Sequence, residues 1–148
     1  MESNSWLGVD IRMIEPNEKG EKLAYNEKGV MIYYEDNDGK WEKWEFDEEG
    51  REIYFEYSND KHYWSKKSYD NHGNMIYHED SKEYWEKHTF DDSNNLIAYE
   101  DSNGYWEKRS YEGTLNTYYE DSDGYWSKTQ YDKDGNQIGF EESNVEKQ

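Results

Sequence analysis

Cysteine is absent, which excludes disulfides, thiolate metal sites and cysteine nucleophiles. Proline occurs once, at Pro16. No apolar run approaches the ~20 residues needed to span a bilayer. The opening Met1-Glu-Ser-Asn-Ser-Trp6 lacks the basic and apolar regions of a secretory leader. A soluble intracellular chain without a membrane partner is the expectation. Cations are scarce: 17 Lys and Arg stand against 36 Asp and Glu, a formal net charge of -19. Direct binding of DNA, RNA or anionic lipid is disfavoured, because phosphate contacts need Lys and Arg in excess. A basic partner follows from the same imbalance.

Aliphatic residues are few as well. Ile, Leu and Val together with Phe number 18 of 148 residues, and with so large a net charge such a composition points to disorder. The aromatics point the other way. Seven Trp, 16 Tyr and four Phe make up 18% of the chain, and each ring can bury roughly 150–250 Å². The expected core is aromatic, with Tyr131 and Ile97 among its members.

The chain is a repeat. Trp41, Trp64, Trp85, Trp106 and Trp126 follow one another at about 21 residues. Two positions after each comes a lysine: Lys43, Lys66, Lys87, Lys108 or Lys128. Five positions after each comes Phe46, Tyr69, Phe90, Tyr111 or Tyr131, followed at once by an acid. A turn residue comes next (Gly50, Gly73, Asn94 or Gly135), then Ile53, Ile76, Ile97 or Ile138. Such self-similarity marks a repeat architecture. A degenerate first copy keeps Lys22, Tyr25, Gly29, Ile32, Tyr34 and Glu35 but has Gly20 in the tryptophan slot.

Each copy reads as two short strands and two turns, since Asp, Ser and Gly cluster between segments of strand composition. No stretch has a helical apolar period. The predicted fold is all-β: tandem two-stranded repeats of about 21 residues forming a twisted antiparallel meander of about a dozen strands. A β-solenoid is the alternative. Residues 1–19 are assigned as an N-terminal capping strand, in which Leu7, Val9, Ile11 and Met13 alternate with mostly polar neighbours. Residues 20–143 hold six repeats, and 144–148 form a polar tail. Alternation puts Trp126 and Lys128 on one face and Tyr125, Ser127, Thr129 and Tyr131 on the other. The Trp–Lys row reads either as a ligand groove or as a structural ladder of cations over indoles.

Nothing in the sequence marks an enzyme. Carboxylates are too alike for any pair to stand out as acid and base, and neither a phosphate loop nor a nucleophile elbow is present. His62, His72, His78 and His88 cluster in two copies, but His78 replaces a core aromatic and His72 falls in a turn. The Asp-x-Asp-Gly loops at Asp36, Asp121 and Asp132 place glycine fourth rather than sixth, which suits turns better than calcium loops. No metal and no cofactor is expected.

The segment Tyr131-Asp-Lys-Asp-Gly-Asn-Gln-Ile138 resembles the YD repeats of Rhs proteins. Tyr99-Glu-Asp-Ser-Asn-Gly-Tyr-Trp106 and Tyr119-Glu-Asp-Ser-Asp-Gly-Tyr-Trp126 resemble small acidic repeat proteins of bacteriophage genomes. There is a fainter similarity to MORN-like antitoxin repeats. The Rhs resemblance implies strands that wind into a sheet or shell, and the phage resemblance implies an accessory, anti-host protein acting in the host cytoplasm. Acid pairs recur in register at Glu35-Asp36, Glu79-Asp80, Glu100-Asp101 and Glu120-Asp121, in turns that line one edge of a meander. Twelve strands at ~4.8 Å span roughly 55 Å, or one net charge per ~3 Å against ~1.7 Å in duplex DNA. The expected function is therefore that of a DNA-mimicking inhibitor, of anti-CRISPR or anti-restriction type. Its partner would be a nucleic-acid-binding defence enzyme, contacted through Glu79, Asp80, Glu100, Asp101, Tyr105, Glu120, Asp121, Asp123 and Tyr125. Two alternatives stay open: an antitoxin-like or immunity-like neutraliser of a basic toxin, and a carbohydrate-binding repeat module.

Overall fold

The computed structural model describes residues 5–59 and 63–143. The expected tail at 144–148, and His62 in the long loop after Tyr57, lie outside the described residues. The chain divides into two compact units, Met1–Glu83 and Tyr84–Gln148.

The first unit begins with β1 (Ser5–Trp6), β2 (Val9–Asp10) and a 3-10 turn over Ile11–Met13. It continues with β3 (Lys22–Tyr25), β4 (Met31–Glu35), β5 (Trp41–Phe46), β6 (Glu52–Ser58), β7 (Trp64–Tyr69) and β8 (Met75–Asp80). The second unit holds β9 (Trp85–Phe90), β10 (Leu96–Asp101), β11 (Trp106–Glu112), β12 (Leu115–Asp121), β13 (Trp126–Tyr131) and β14 (Gln137–Glu142). Within each unit, β3 to β8 and β9 to β14 pair antiparallel with their neighbours in chain order. The architecture is an open antiparallel meander of tandem hairpins, not a solenoid. Among the described residues, no helix is long and apolar enough to cross a membrane.

Two turn types alternate, and each explains part of the motif. In the first, Asp47 Oδ1 accepts from Arg51 N at 2.8 Å, while Gly50 N donates to Asp47 O at 3.1 Å. The second has the same form: Asp101 Oδ1 accepts from Asn103 N at 2.8 Å and from Tyr105 N at 3.2 Å. The glycine slot is left-handed, with φ of 86° at Gly104 and 83° at Gly124. Glu83 occupies that slot at φ 65°, where an L side chain pays ~1–2 kcal/mol. Glu83→Gly is therefore expected to raise stability by a few tenths to about 1 kcal/mol, the flexibility of glycine in the unfolded chain offsetting part of the gain. A urea midpoint at or below that of the parent would contradict this.

Register shifts fall beside the aromatic five positions after each tryptophan, between Glu45 and Phe46, Ser68 and Tyr69, Ser110 and Tyr111, and Gln130 and Tyr131. In each case the extra residue of the bulge is on the following strand, Ile53, Ile76, Thr117 or Ile138, left unpaired next to the pair that the aromatic makes.

The N-terminal segment departs from the single strand expected over Leu7–Met13. Leu7 at φ 46° and Gly8 at φ 83° turn the chain back on itself, pairing Trp6 with Val9. Asp10 then accepts from Arg12 N at 3.1 Å and starts the 3-10 turn. This folded segment lays Trp6, Val9, Ile11 and Ile14 against Ala24, Ile32 and Tyr33. Those last three are the buried hydrophobic residues among the described ones. Tyr131 and Ile97, expected in the core, are only half-buried. Outside this cluster the described strand residues are half-buried or exposed, save Ser58 and Ser65.

Candidate functional site

Strand alternation builds two chemically distinct faces. On the first, which we term the lysine face, each repeat lysine lies over the tryptophan two residues before it. The ammonium-to-ring distances are 4.1 Å for Lys43 over Trp41, 5.5 Å for Lys66 over Trp64 and 5.0 Å for Lys87 over Trp85. Lys108 over Trp106 at 5.1 Å and Lys128 over Trp126 at 5.4 Å make the same contact. Four of these lysines reach the glutamate opposite: Lys43 pairs with Glu56 at 3.5 Å, Lys87 with Glu100 at 3.0 Å and Lys108 with Glu120 at 3.8 Å, and Lys66 pairs with Glu79. A tyrosine two residues before the glutamate donates to the same carboxylate, as Tyr54 does to Glu56 at 3.3 Å and Tyr118 to Glu120 at 2.9 Å. The Trp–Lys row is thus a structural ladder of the form Trp–Lys–Glu–Tyr.

The opposite face of the second unit is acidic. Tyr99 Oη lies 3.3 Å from carboxylate oxygens of both Glu86 and Asp101, which share its one proton, and 3.3 Å from Tyr84 Oη. One repeat later, Glu107 at 3.2 Å and Asp121 at 3.1 Å share the proton of Tyr119 Oη, with Tyr105 Oη 3.1 Å away. Tyr125 Oη donates to Glu142 at 2.8 Å. Tyr99 and Tyr105 rings lie 6.0 Å apart, and Tyr119 and Tyr125 rings 5.9 Å, so the phenols run on across the strands. Arg109 stands among these acids, 2.6 Å from Glu107 and over the Tyr119 ring at 5.7 Å.

These phenols hold their protons. Burial, then the neighbouring Tyr84, Asp101 and Glu86, push Tyr99 well above the ordinary tyrosine value. Burial and the hydrogen bonds of Tyr105 and Asp121 do the same for Tyr119. On the lysine face the hydrogen bond to Glu79, with burial, pushes Tyr77 up to about 12. Asp91 and Asp132 move oppositely. Side-chain and backbone donors of Asn95 hold Asp91 below the usual carboxylate range, and those of Asn136 do so for Asp132.

The structure divides the predicted contact residues between these faces. Glu79, Glu100 and Glu120 lie on the lysine face, each paired with a cation. Asp80, Asp101 and Asp121 spend one oxygen on turn backbone, accepting from Lys82 N, Asn103 N and Asp123 N respectively. Tyr105 and Tyr125 are half-buried and join the acid face with Asp101 and Asp121, while Asp123 is exposed at its turn tip. Neighbouring acids such as Glu100 and Asp101 point to opposite sides, as strand alternation requires.

Sequence reasoning missed the serine of the Glu-Asp-Ser motif. Ser102 N donates to Trp85 O at 2.9 Å, and Ser102 Oγ accepts from Trp85 N at 3.2 Å. Ser122 binds Trp106, and Ser143 Trp126, in the same way. The serine stands 17 residues after its tryptophan in two of these pairs and 16 in the third, so spacing along the chain does not announce the contact.

The carboxylates of this geometry are engaged in turns, ion pairs and phenol contacts. Among the described residues, no group of three or more His, Asp or Glu is placed to hold a metal ion. His78 bonds Ser65 Oγ at 3.0 Å, His88 packs against Tyr99 with ring centres 5.0 Å apart, and His72 is exposed in its turn.

No protein-family model and no curated protein matches the chain. Solved Tc-toxin structures show a distant, partial likeness. The crystal structure of TcdB2-TccC3-Cdc42 matches 81% of this chain and 7% of its own at 11% identity and a TM-score of 0.45. That of TcdB2-TccC3 matches 84% and 8% at 12% identity and a TM-score of 0.49. The Photorhabdus luminescens Tc holotoxin pore (mutation TccC3-D651A) matches 82% and 6% at 17% identity and a TM-score of 0.37. The chain spans less than a tenth of the length of the structures it matches. The fate of the acid pairs corrects the expectation of a bacteriophage anti-CRISPR or anti-restriction DNA mimic with a nucleic-acid-binding defence enzyme as its partner. The likeness is to toxin components, one of them solved as TcdB2-TccC3-Cdc42. Glu79, Glu100 and Glu120 are paired with lysine on one face while Asp80, Asp101 and Asp121 turn to the other, so the acid pairs do not form a single row of free charges along one edge.

Proposed function

We propose that the chain is an immunity-like or antitoxin-like scaffold that neutralises a positively charged protein toxin by covering its surface, without chemistry. The observation that carries this reading is the acid face of the second unit. There Glu86, Asp101, Glu107, Asp121 and Glu142 are bridged by protonated phenols. Tyr105 and Tyr125 serve as anchors, since hot spots favour aromatic residues, and Asp101, Asp121 and Asp123 supply charge beside them. Charge complementarity speeds encounter and rejects wrong partners, and it is screened over ~8 Å at physiological salt.

The test is a variant carrying Glu86→Gln, Asp101→Asn, Asp121→Asn and Glu142→Gln. At positions 101 and 121 the amide oxygen takes the turn N–H groups and the amide NH2 donates to the phenol oxygen, and at 86 and 142 the amide oxygen accepts from the phenol, so the fold is kept while four charges go. The wild-type chain, immobilised, is expected to recover a basic protein from bacterial lysate. Binding should weaken as salt rises, and by about tenfold or more in the variant, the worth of ~1.4 kcal/mol spread over four charges. Co-expression with the wild-type chain should relieve the growth arrest that the partner causes alone. Equal binding by the well-folded variant, or a partner that remains toxic in the complex, would overturn the reading.

A further inference from the structure

The ladder on the lysine face has one missing rung. Tyr33, Tyr54, Tyr77 and Tyr118 occupy the same slot in successive repeats, each donating its hydroxyl to the glutamate two residues on. In β10 that slot holds Ala98, opposite Thr89 on one side and Lys108 on the other. A cleft of about 410 Å³ opens there, lined by Lys87, Thr89, Ala98, Glu100, Trp106 and Lys108. Glu100 still pairs with Lys87 at 3.0 Å, but its side chain is 52% exposed, against 19% for Glu56 and 25% for Glu79, which keep their tyrosines. The last repeat solves the same problem internally. A Cβ on Gly139 would meet Gln130 Oε1 at 2.8 Å, so the glutamine has folded into that gap.

We infer that the cleft over Ala98 is a binding site for a phenol ring, presented as a tyrosine side chain by a partner protein. The shape and the polar groups are those that the other repeats build around their own tyrosine. The methyl of Ala98 forms the floor, the Trp106 indole with Lys108 over it at 5.1 Å forms a wall, and the Glu100 carboxylate is the acceptor. A carboxylate takes a phenolic O–H in a charge-assisted bond, stronger than a neutral one. The cleft volume falls within the usual range for ligand pockets, ~300–1,000 Å³. The site lies on the lysine face and stands independently of the neutraliser reading, which rests on the opposite face.

The probe is p-cresol, the tyrosine side chain as a free molecule. Titrated into the full chain, it should shift the Trp106 indole and the Ala98 and Glu100 amide resonances saturably, at millimolar concentration. Ala98→Tyr should fill the slot, abolish those shifts and raise the thermal midpoint to or above that of the parent. Glu100→Gln should weaken p-cresol binding severalfold by removing the charged acceptor. No saturable shift in the parent, shifts that persist in Ala98→Tyr, or a midpoint of Ala98→Tyr below the parent's would each overturn the assignment. Unchanged affinity in Glu100→Gln would overturn the role given to the carboxylate.

Discussion

Replacing Tyr33 by alanine should destabilise the first unit by about 3–5 kcal/mol, the range for deleting a large buried ring. Tyr33 is 1% exposed and Ile32 beside it 2%, and the folded N-terminal segment packs onto both through Trp6, Val9, Ile11 and Ile14. A domain holds ~5–15 kcal/mol in all, so this one change removes a large share of it. Tyr33→Phe isolates the hydroxyl, which donates to Glu35 at 2.5 Å, and should cost about 1 kcal/mol. The same truncation at half-buried Tyr131 should cost less than at Tyr33. Urea denaturation of the three variants gives the order directly. Equal costs at Tyr33 and Tyr131 would show that burial is not concentrated where the N-terminal segment lands.

Alkaline unfolding is the second large effect. Tyrosines in the unfolded chain ionise near pH ~10. In the folded chain Tyr77 is pushed up to about 12, and Tyr54, Tyr99 and Tyr119 are raised further, burial leading in each of those three. A raised folded value means that the stability is fully present below the unfolded value of ~10 and is lost as pH climbs through the folded one. The sheet signal in circular dichroism should hold to about pH 10 and then collapse cooperatively over the next two pH units, with late phenolate absorbance appearing in the same step. A single tyrosine titration near pH ~10 with the sheet intact beyond pH ~12 would show that these phenols are not donors in the native state.

Much of this was legible in the sequence because the repeat is set by local chemistry. The Trp–Lys spacing of two places both side chains on one face of any strand, and the Asp-x-x-Gly turns announce themselves through their own hydrogen bonds. The acid pairs misled for an instructive reason. Reading Glu100-Asp101 as a unit of charge treats it as a turn edge, whereas the residues are the last two of β10, so alternation separates them. Glu100 then meets Lys87 across the pair, and Asp101 bends back to its turn. The N-terminal segment misled differently. Leu7, Val9, Ile11 and Met13 alternate as a strand would, but Gly8 lets the chain turn, and the hydrophobic gain over Ile32 and Tyr33 outweighs a left-handed leucine. The serine contacts to tryptophan backbone left no compositional trace, because their partners are main-chain atoms.

The bonding in this sheet has a genetic corollary. The repeat lysines and motif serines reach the strand immediately before or after their own, and every repeat is a whole hairpin. Duplicating one repeat within the coding region would therefore lengthen the sheet by a hairpin and leave both faces in phase. Losing a single strand would turn every strand after it to the opposite direction, bringing lysines where glutamates are needed. Copy number is thus free to drift in whole steps of about 21 residues, and a gene of this kind should be found with more or fewer repeats but not with half of one.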